Sequence, residues 1–343
     1  MPWQPHVRRD RARGALLGLA VGDALGTTLE FATRDAPSYP TLATGPHVDV
    51  TGGGPFHLAA GQVTDDTHMA TCLAQSLLDH AGVLDVDDVA ARYVAWRHHT
   101  FDIGGQTAGA LDRIARGGAA AAAGLQEWRA RDRQPAGNGS LMRAAPLAVA
   151  YADRPAALVA AACAESAITH ADPRCQLACA AYTAMIAAAV AEPPAPLAAL
   201  FDASQAARSP PPPHVAAALP DDAAAVDAAR AAIAADLAVD ATPDVHGAAI
   251  HLQRTAGFVR VALRLACWHL RRGTPWRDAV VDVVNRGGDA DTNGAIVGAL
   301  LGAAAGEDAI PAAWRDRVVG ALAGDRSPLG TTYHPRALLA LVP

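Results

Sequence analysis

Aromatic residues make up only 5% of this 343-residue chain, and long alternations of Val, Ile and Tyr are missing. Half-buried strands are built from such alternations, so their absence argues against a sheet-based fold. Basic charge is also short. The 28 Lys and Arg are outnumbered by 34 Asp and Glu, and a net charge of −6 leaves no footprint for general binding to nucleic acid or to an anionic membrane. No stretch approaches the roughly 20 uninterrupted apolar residues that span a bilayer. The apolar run after the basic segment Met1–Arg13 is broken by Asp23, Gly26 and Glu30, and no secretory core with a cleavage site is read there. Cysteines number five, and Cys175 and Cys179 are four apart, too far for a CxxC motif. They are expected to be reduced thiols packed as small hydrophobes. These absences lead to the expectation of a cytoplasmic, monomeric protein.

What is present is alanine, leucine and helical periodicity. The pattern predicts helices at about 9–25, 66–80, 86–98, 105–116, 140–151, 156–168, 173–191, 214–238, 247–271, 275–284 and 292–305. Only the neighbourhood of Asp49–Gly53 offers a weak strand signal. The chain therefore reads as all-α. The tetraproline Pro210–Pro213 is the clearest break. Because chemistry-bearing motifs on either side of it must meet, residues 193–240 are expected to form a surface excursion within a single domain spanning 1–343, with a core at about 11–306. The Ala-rich stretches 118–124 and 222–239 read as compositional. Gly14, Gly18, Gly22 and Gly26 recur every fourth residue, as do Gly294, Gly298, Gly302 and Gly306. Each interior glycine costs a helix about 0.5–1 kcal/mol relative to alanine, and the i, i+4 spacing aligns them on one face. Close approach of the two helices along these faces would offset that cost.

Two acidic blocks carry the clearest chemistry: Thr64-Asp65-Asp66 and Asp289-Ala290-Asp291-Thr292. Each block could simply cap a helix, since Thr, Asp and acidic first turns suit helix N-termini. Together, their four carboxylates and two hydroxyls also make an oxygen-only ligand set for hard divalent cations such as Mg²⁺ or Mn²⁺. Close carboxylates repel unless a cation neutralises them. Gly137-Asn138-Gly139-Ser140-Leu141-Met142-Arg143 precedes an apolar helix. Its amides and the Ser140 hydroxyl could cradle a phosphate, although the lysine of a Walker loop is absent. Asp102, followed by Gly104-Gly105, suits an acid at the rim of a cleft. His170 falls in a turn, and Glu30 lies where the first helix gives way to a loop.

In chain order, Gly22-Asp23-Ala24-Leu25-Gly26…Glu30-Phe31, Thr64-Asp65-Asp66-Thr67, Phe101-Asp102-Ile103-Gly104, Gly137-Asn138-Gly139-Ser140-Leu141-Met142-Arg143, Thr169-His170 and Asn285-Arg286-Gly287-Gly288-Asp289-Ala290-Asp291-Thr292 resemble the ADP-ribosylglycohydrolase family. The resemblance runs from about Arg11 to Gly306. It implies an orthogonal helical bundle with two divalent cations, Mg²⁺ or Mn²⁺, held by Thr64, Asp65, Asp66, Asp289, Asp291 and Thr292. It assigns Asn138, Gly139, Ser140 and His170, with Gly105 and Gly288 in the same motifs, to the ADP-ribose groove. Glu30 and Asp102 become the catalytic acids. The implied reaction is removal of ADP-ribose from a modified protein or small molecule, arginine-linked by preference. Serine- or nucleic-acid-linked ADP-ribose and a non-catalytic, crystallin-like binding role are the alternatives. Two features depart from the family pattern: Gln62-Val63 stands where an aromatic is usual, and Thr28 replaces a common proline.

Overall fold

A computed structural model describes residues 8–193, 195–206, 223–238 and 245–342. Among them the chain is helical, with isolated bridges in place of strands. The helices are α1 (Arg9–Gly26), α2 (Asp65–Asp79), α3 (Val86–Trp96), α4 (Gly105–Ala115), α5 (Ala120–Ala130), α6 (Ala145–Ala150), α7 (Pro155–Thr169) and α8 (Pro173–Val190). After these come α9 (Leu197–Ala206), α10 (Ala223–Leu237), α11 (Val259–Arg272), α12 (Trp276–Asn285), α13 (Ala290–Ala305), α14 (Ala312–Gly320) and α15 (Pro335–Leu339).

The two glycine ladders pack on each other. A Cβ built on Gly14, Gly18, Gly22 or Gly26 of α1 would stand 2.3, 2.1, 2.0 or 2.3 Å from the carbonyl oxygens of Gly302, Gly298, Gly294 and Ala290 of α13. The two helices therefore run antiparallel with their backbones in contact. They are buried nearly all round, which explains why neither shows a polar stripe. The pairing sets the end of α1, with Asp23 and the approach to Glu30, beside the start of α13, with Asp289, Asp291 and Thr292. Around this pair the apolar core takes in residues from Ala12 to Val342, and all five cysteines are buried thiols outside any disulfide.

Four expectations need correction. The helix expected at 140–151 begins only at Ala145, because Pro146 lacks an N–H and fits only the first turn of a helix. The helix expected at 247–271 begins at Val259. Residues 245–258 instead form turns, in which the Thr255 hydroxyl accepts from His251 N at 2.7 Å, a local bond that competes with helix formation. The Ala-rich stretch 118–124 lies largely within α5. The weak strand signal yields only a bridge between Gly53 and Leu58, beside glycines with φ of +69°, +90° and +68°. Within 193–240, α9 and α10 contribute Leu200, Phe201 and Ile233 to the core. The tetraproline lies outside the described residues.

Candidate active site

The site starts from Asp23, a fully buried acid in α1. Its carboxylate accepts from the amides of Thr64, at 3.1 Å, and Thr67, at 3.2 Å, and from the Thr67 hydroxyl at 2.5 Å. Asp23 thereby satisfies the amide of the N-cap residue and one amide of the first turn of α2. Thr64, the N-cap residue, makes no capping bond with its own side chain, and neither does Asp289 at the start of α13. Side-chain capping thus does not account for Thr64 or Asp289, although Asp65, Asp66 and Asp291 do lie in the first turns of their helices.

Those side chains meet one another. Thr64 Oγ1 lies 3.1 Å from Asp23, 3.2 Å from Asp66 and 3.5 Å from Asp291, while Thr292 Oγ1 lies 3.4 Å from Asp66 Oδ2. Asn138 Nδ2 donates to Asp289 Oδ2 at 2.7 Å. Carboxylate oxygens of Glu30, Asp289 and Asp291 all fall within 4.8 Å of one another. The Glu30 loop is clasped onto the turn before α13. Phe31 N donates to Gly288 O at 2.7 Å, and Gly288 N donates to Ala32 O at 3.0 Å. Gly287 and Gly288 have φ of +69° and +71°, and a Cβ on either would strike a backbone carbonyl. Gly288, expected in the substrate groove, is absent from the cleft lining and serves this clasp.

Seven carboxyl groups converge here: Asp23, Glu30, Asp65, Asp66, Asp102, Asp289 and Asp291. Burial raises the pKa of every one, Glu30 to about 8 and Asp23 to about 6, with Asp65, Asp66 and Asp291 well above the usual range. Repulsion from neighbouring carboxylates adds to burial at Glu30, Asp65, Asp66, Asp102 and Asp291. Among the described residues, Glu30 Oε2 and Asp66 Oδ1 are buried without a partner and no arginine lines the cleft. A dense, oxygen-only acidic group with unsatisfied oxygens and no protein counter-charge fits hard divalent cations.

Glu30, Asp65, Asp102, Asp289 and Asp291 form one wall of a cleft of about 270 Å³. Gly105, Gln106, Gly137, Asn138, Gly139 and His170 supply much of the rest. Beyond Gly137 and Gly257 it joins an open groove bordered by Arg174, Arg254 and Phe258. Ser140 departs from expectation. Its hydroxyl is fully buried, accepts from Ser166 Oγ at 2.9 Å and does not line the cleft. The cause is Arg143, buried beneath the Gly137–Arg143 turn. Its guanidinium donates to Glu165 Oε1 (2.6 Å), Gly139 O (3.2 Å) and Thr169 Oγ1 (2.9 Å), which pins the turn to α7. His170 Nδ1 lies 2.7 Å from Thr169 Oγ1. Burial and the Arg143 charge hold His170 well below its ordinary pKa, so it is neutral.

Sequence reading assigned no role to Asp23, Phe31, Gln106, Thr107, Met142 or Gly257. For Asp23 the signal was an acid inside an otherwise apolar Gly/Ala/Leu helix. Gly257 was hidden by the expected long helix across 247–271.

The described geometry belongs to a known class. The family model for ADP-ribosylglycohydrolase matches residues 4–334. The chain is 34% identical over 335 residues to the ADP-ribosylarginine hydrolase Tri1 of Pseudomonas putida, covering 92% of this chain and 76% of that one. It is 32% identical over 312 residues to the ADP-ribosyl-[dinitrogen reductase] glycohydrolase of Rhodospirillum rubrum, covering 90% of each. A solved structure titled ADP-ribosylglycohydrolase-related protein complex superposes with a TM-score of 0.69 at 31% identity, over 98% of both chains. The chain belongs to the ADP-ribosylglycohydrolase family of enzymes.

Proposed function

We propose that this protein is a divalent-cation-dependent hydrolase that releases ADP-ribose from arginine side chains by attack of water at the anomeric carbon of the distal ribose. The observation that carries the reading is the meeting of both acidic blocks with Glu30 and Asp102 in a cleft that, among the described residues, is lined by no arginine and whose one histidine is neutral. Thr64, Asp65, Asp66, Asp289, Asp291 and Thr292 would hold two cations, Mg²⁺ or Mn²⁺. Such ions supply Lewis acidity and a water of lowered pKa. The arginine linkage rests on the names of the two relatives.

The protein's own residues account for the rest. Carboxylates around the ribose stabilise the positive charge that builds as the C–N bond breaks. Asp102, bordering the cleft with Asp65, exchanges the proton of the attacking water or of the leaving nitrogen, with Glu30 as the second acid near the bond. Asn138 fixes the orientation of Asp289. The Gly139 amide, at the cleft lining, finds no acceptor among the described residues and suits a diphosphate oxygen. The groove with Arg174 and Arg254 extends the same path for the ADP portion. Charge along this path thus changes sign as the charge of ADP-ribose bound to cations requires.

The test supplies ADP-ribosyl-arginine peptide, ADP-ribosyl-serine peptide and ADP-ribosylated nucleic acid, each with Mg²⁺, with Mn²⁺ or with EDTA, and quantifies released ADP-ribose. Release from the arginine peptide alone, abolished by EDTA, is expected. Release from another linkage instead reassigns the acceptor. Undiminished release in EDTA removes the cations from the reaction.

A further inference from the structure

Phe31 has the highest exposure, at 67%, among the exposed large hydrophobic residues. Its φ of +59° lies in the left-handed region that a bulky side chain rarely occupies. The conformation is imposed by the clasp, in which the Phe31 amide donates to Gly288 O at 2.7 Å. The backbone thus pays a conformational cost to hold an aromatic ring in water, at the lining of the cleft beside Glu30. Core packing does not account for that.

The ring is not isolated. Phe31 meets Phe56 edge-on, with centroids 6.4 Å apart and planes at 73°, and Phe56 lies 5.3 Å from Phe101. Phe101 is the neighbour of Asp102 and packs edge-on against His68 at 6.2 Å. Three rings therefore run from the Glu30 loop to the Asp102 loop, linking the two segments that carry the proposed catalytic acids. The cleft beside them holds carboxylates and, among the described residues, no arginine. Aromatic faces carry negative potential, so rings and carboxylates together favour a cation. A planar guanidinium also stacks on such faces, which an alcohol cannot do.

We propose that Phe31, Phe56 and Phe101 form the acceptor subsite and receive the guanidinium of an ADP-ribosylated arginine, making this aromatic lip a determinant of linkage specificity. The proposal rests on the function proposed above and adds the residues that read the leaving group. It predicts that the lip contributes to binding of the modified arginine and contributes nothing to binding of free ADP-ribose, which lacks the acceptor.

The experiment compares wild type, Phe31→Leu and Phe31→Trp in the presence of Mg²⁺. Leucine has the same backbone restriction as phenylalanine at this φ, so the change isolates the ring. KM for ADP-ribosyl-arginine peptide should rise roughly 3- to 30-fold in Phe31→Leu, the span of a cation–π contact. The inhibition constant of ADP-ribose should not change, and Phe31→Trp should restore KM. Phe101→Leu, on the far side of the lip, should show the same split and serves if Phe31→Leu fails to fold. An unchanged KM in Phe31→Leu overturns the proposal, as does an equal rise in KM and in the ADP-ribose inhibition constant. Wild-type protein inert on the arginine peptide would instead overturn the function proposed above, and the lip's role with it.

Discussion

A Cβ on Gly298 would stand 2.2 Å from the carbonyl oxygen of Gly18, and one on Gly18 would stand 2.1 Å from that of Gly298. The same reciprocal contact joins Gly14 to Gly302 and Gly22 to Gly294. The carbonyl of Gly298 is further fixed by Trp276 Nε1, which donates to it at 2.8 Å. With backbone on one side and a tryptophan on the other, α1 and α13 have no room to separate locally. Any side chain added here must move a whole helix, and the first turn of α13 carries Asp291 and Thr292.

Gly298→Leu should therefore destabilise the protein by about 1–3 kcal/mol through overpacking. It should also weaken Mg²⁺ binding without altering a ligand. Thermal melting and calorimetric titration with Mg²⁺ check both effects. Gly320→Ala is the control, because a Cβ there meets nothing within 4 Å. Wild-type melting and cation affinity in Gly298→Leu would contradict the pairing.

The glycine ladders and the acidic blocks were legible in the sequence for the same reason: each is a local pattern with one costly feature that demands compensation. Four interior glycines need a close neighbour, and adjacent aspartates need a counter-charge. What could not be read depends on a distant segment. Asp23 acts on Thr64 and Thr67 across a helix junction, so nothing near it in the chain reveals its task. Ser140 looked available for a phosphate because the turn around it is rich in glycine. Its hydroxyl is instead claimed by Ser166, and Arg143 pins the turn through Gly139 and α7. Phe31 reads as one more apolar residue until its backbone conformation is known.

The stability of the cation-free protein should depend on pH in a direction set by Glu30. Its pKa is raised by burial, and further by Asp102, to about 8 in the folded state, against an ordinary value of 4.5. The folded protein thus holds this proton more tightly than the unfolded chain. The stabilisation is complete below about 4.5 and is lost as pH rises through about 8. Asp65, Asp66 and Asp291 shift the same way. In EDTA, Tm should fall from pH 6 to pH 9, and excess Mg²⁺ should recover most of the loss at pH 9 by replacing protons as counter-charge. Scanning calorimetry across that range decides the matter. A flat Tm in EDTA would mean that the carboxyls do not carry this repulsion.

We predict the tautomer of His170 from a chain of donors. Arg143 is permanently protonated and donates through Nη2 to Thr169 Oγ1 at 2.9 Å. With one lone pair of the threonine oxygen taken, we assign its hydroxyl proton to His170 Nδ1, 2.7 Å away. With Nδ1 accepting, the ring proton resides on Nε2, the nitrogen beside Gly137 and Gly139 in the cleft. Burial, reinforced by the Arg143 charge, keeps the ring neutral. His170 is thereby a fixed hydrogen-bond donor towards whatever occupies the cleft. Nitrogen-15 NMR should show an unprotonated Nδ1 and a protonated Nε2 from pH 5.5 to pH 8, with no titration near 6.5. Thr169→Val should release the tautomer and weaken ADP-ribose binding by about 1 kcal/mol, roughly fivefold, with the larger change in affinity and the smaller in kcat. A wild-type ring protonated on Nδ1, or one that titrates normally, would break the chain at Thr169.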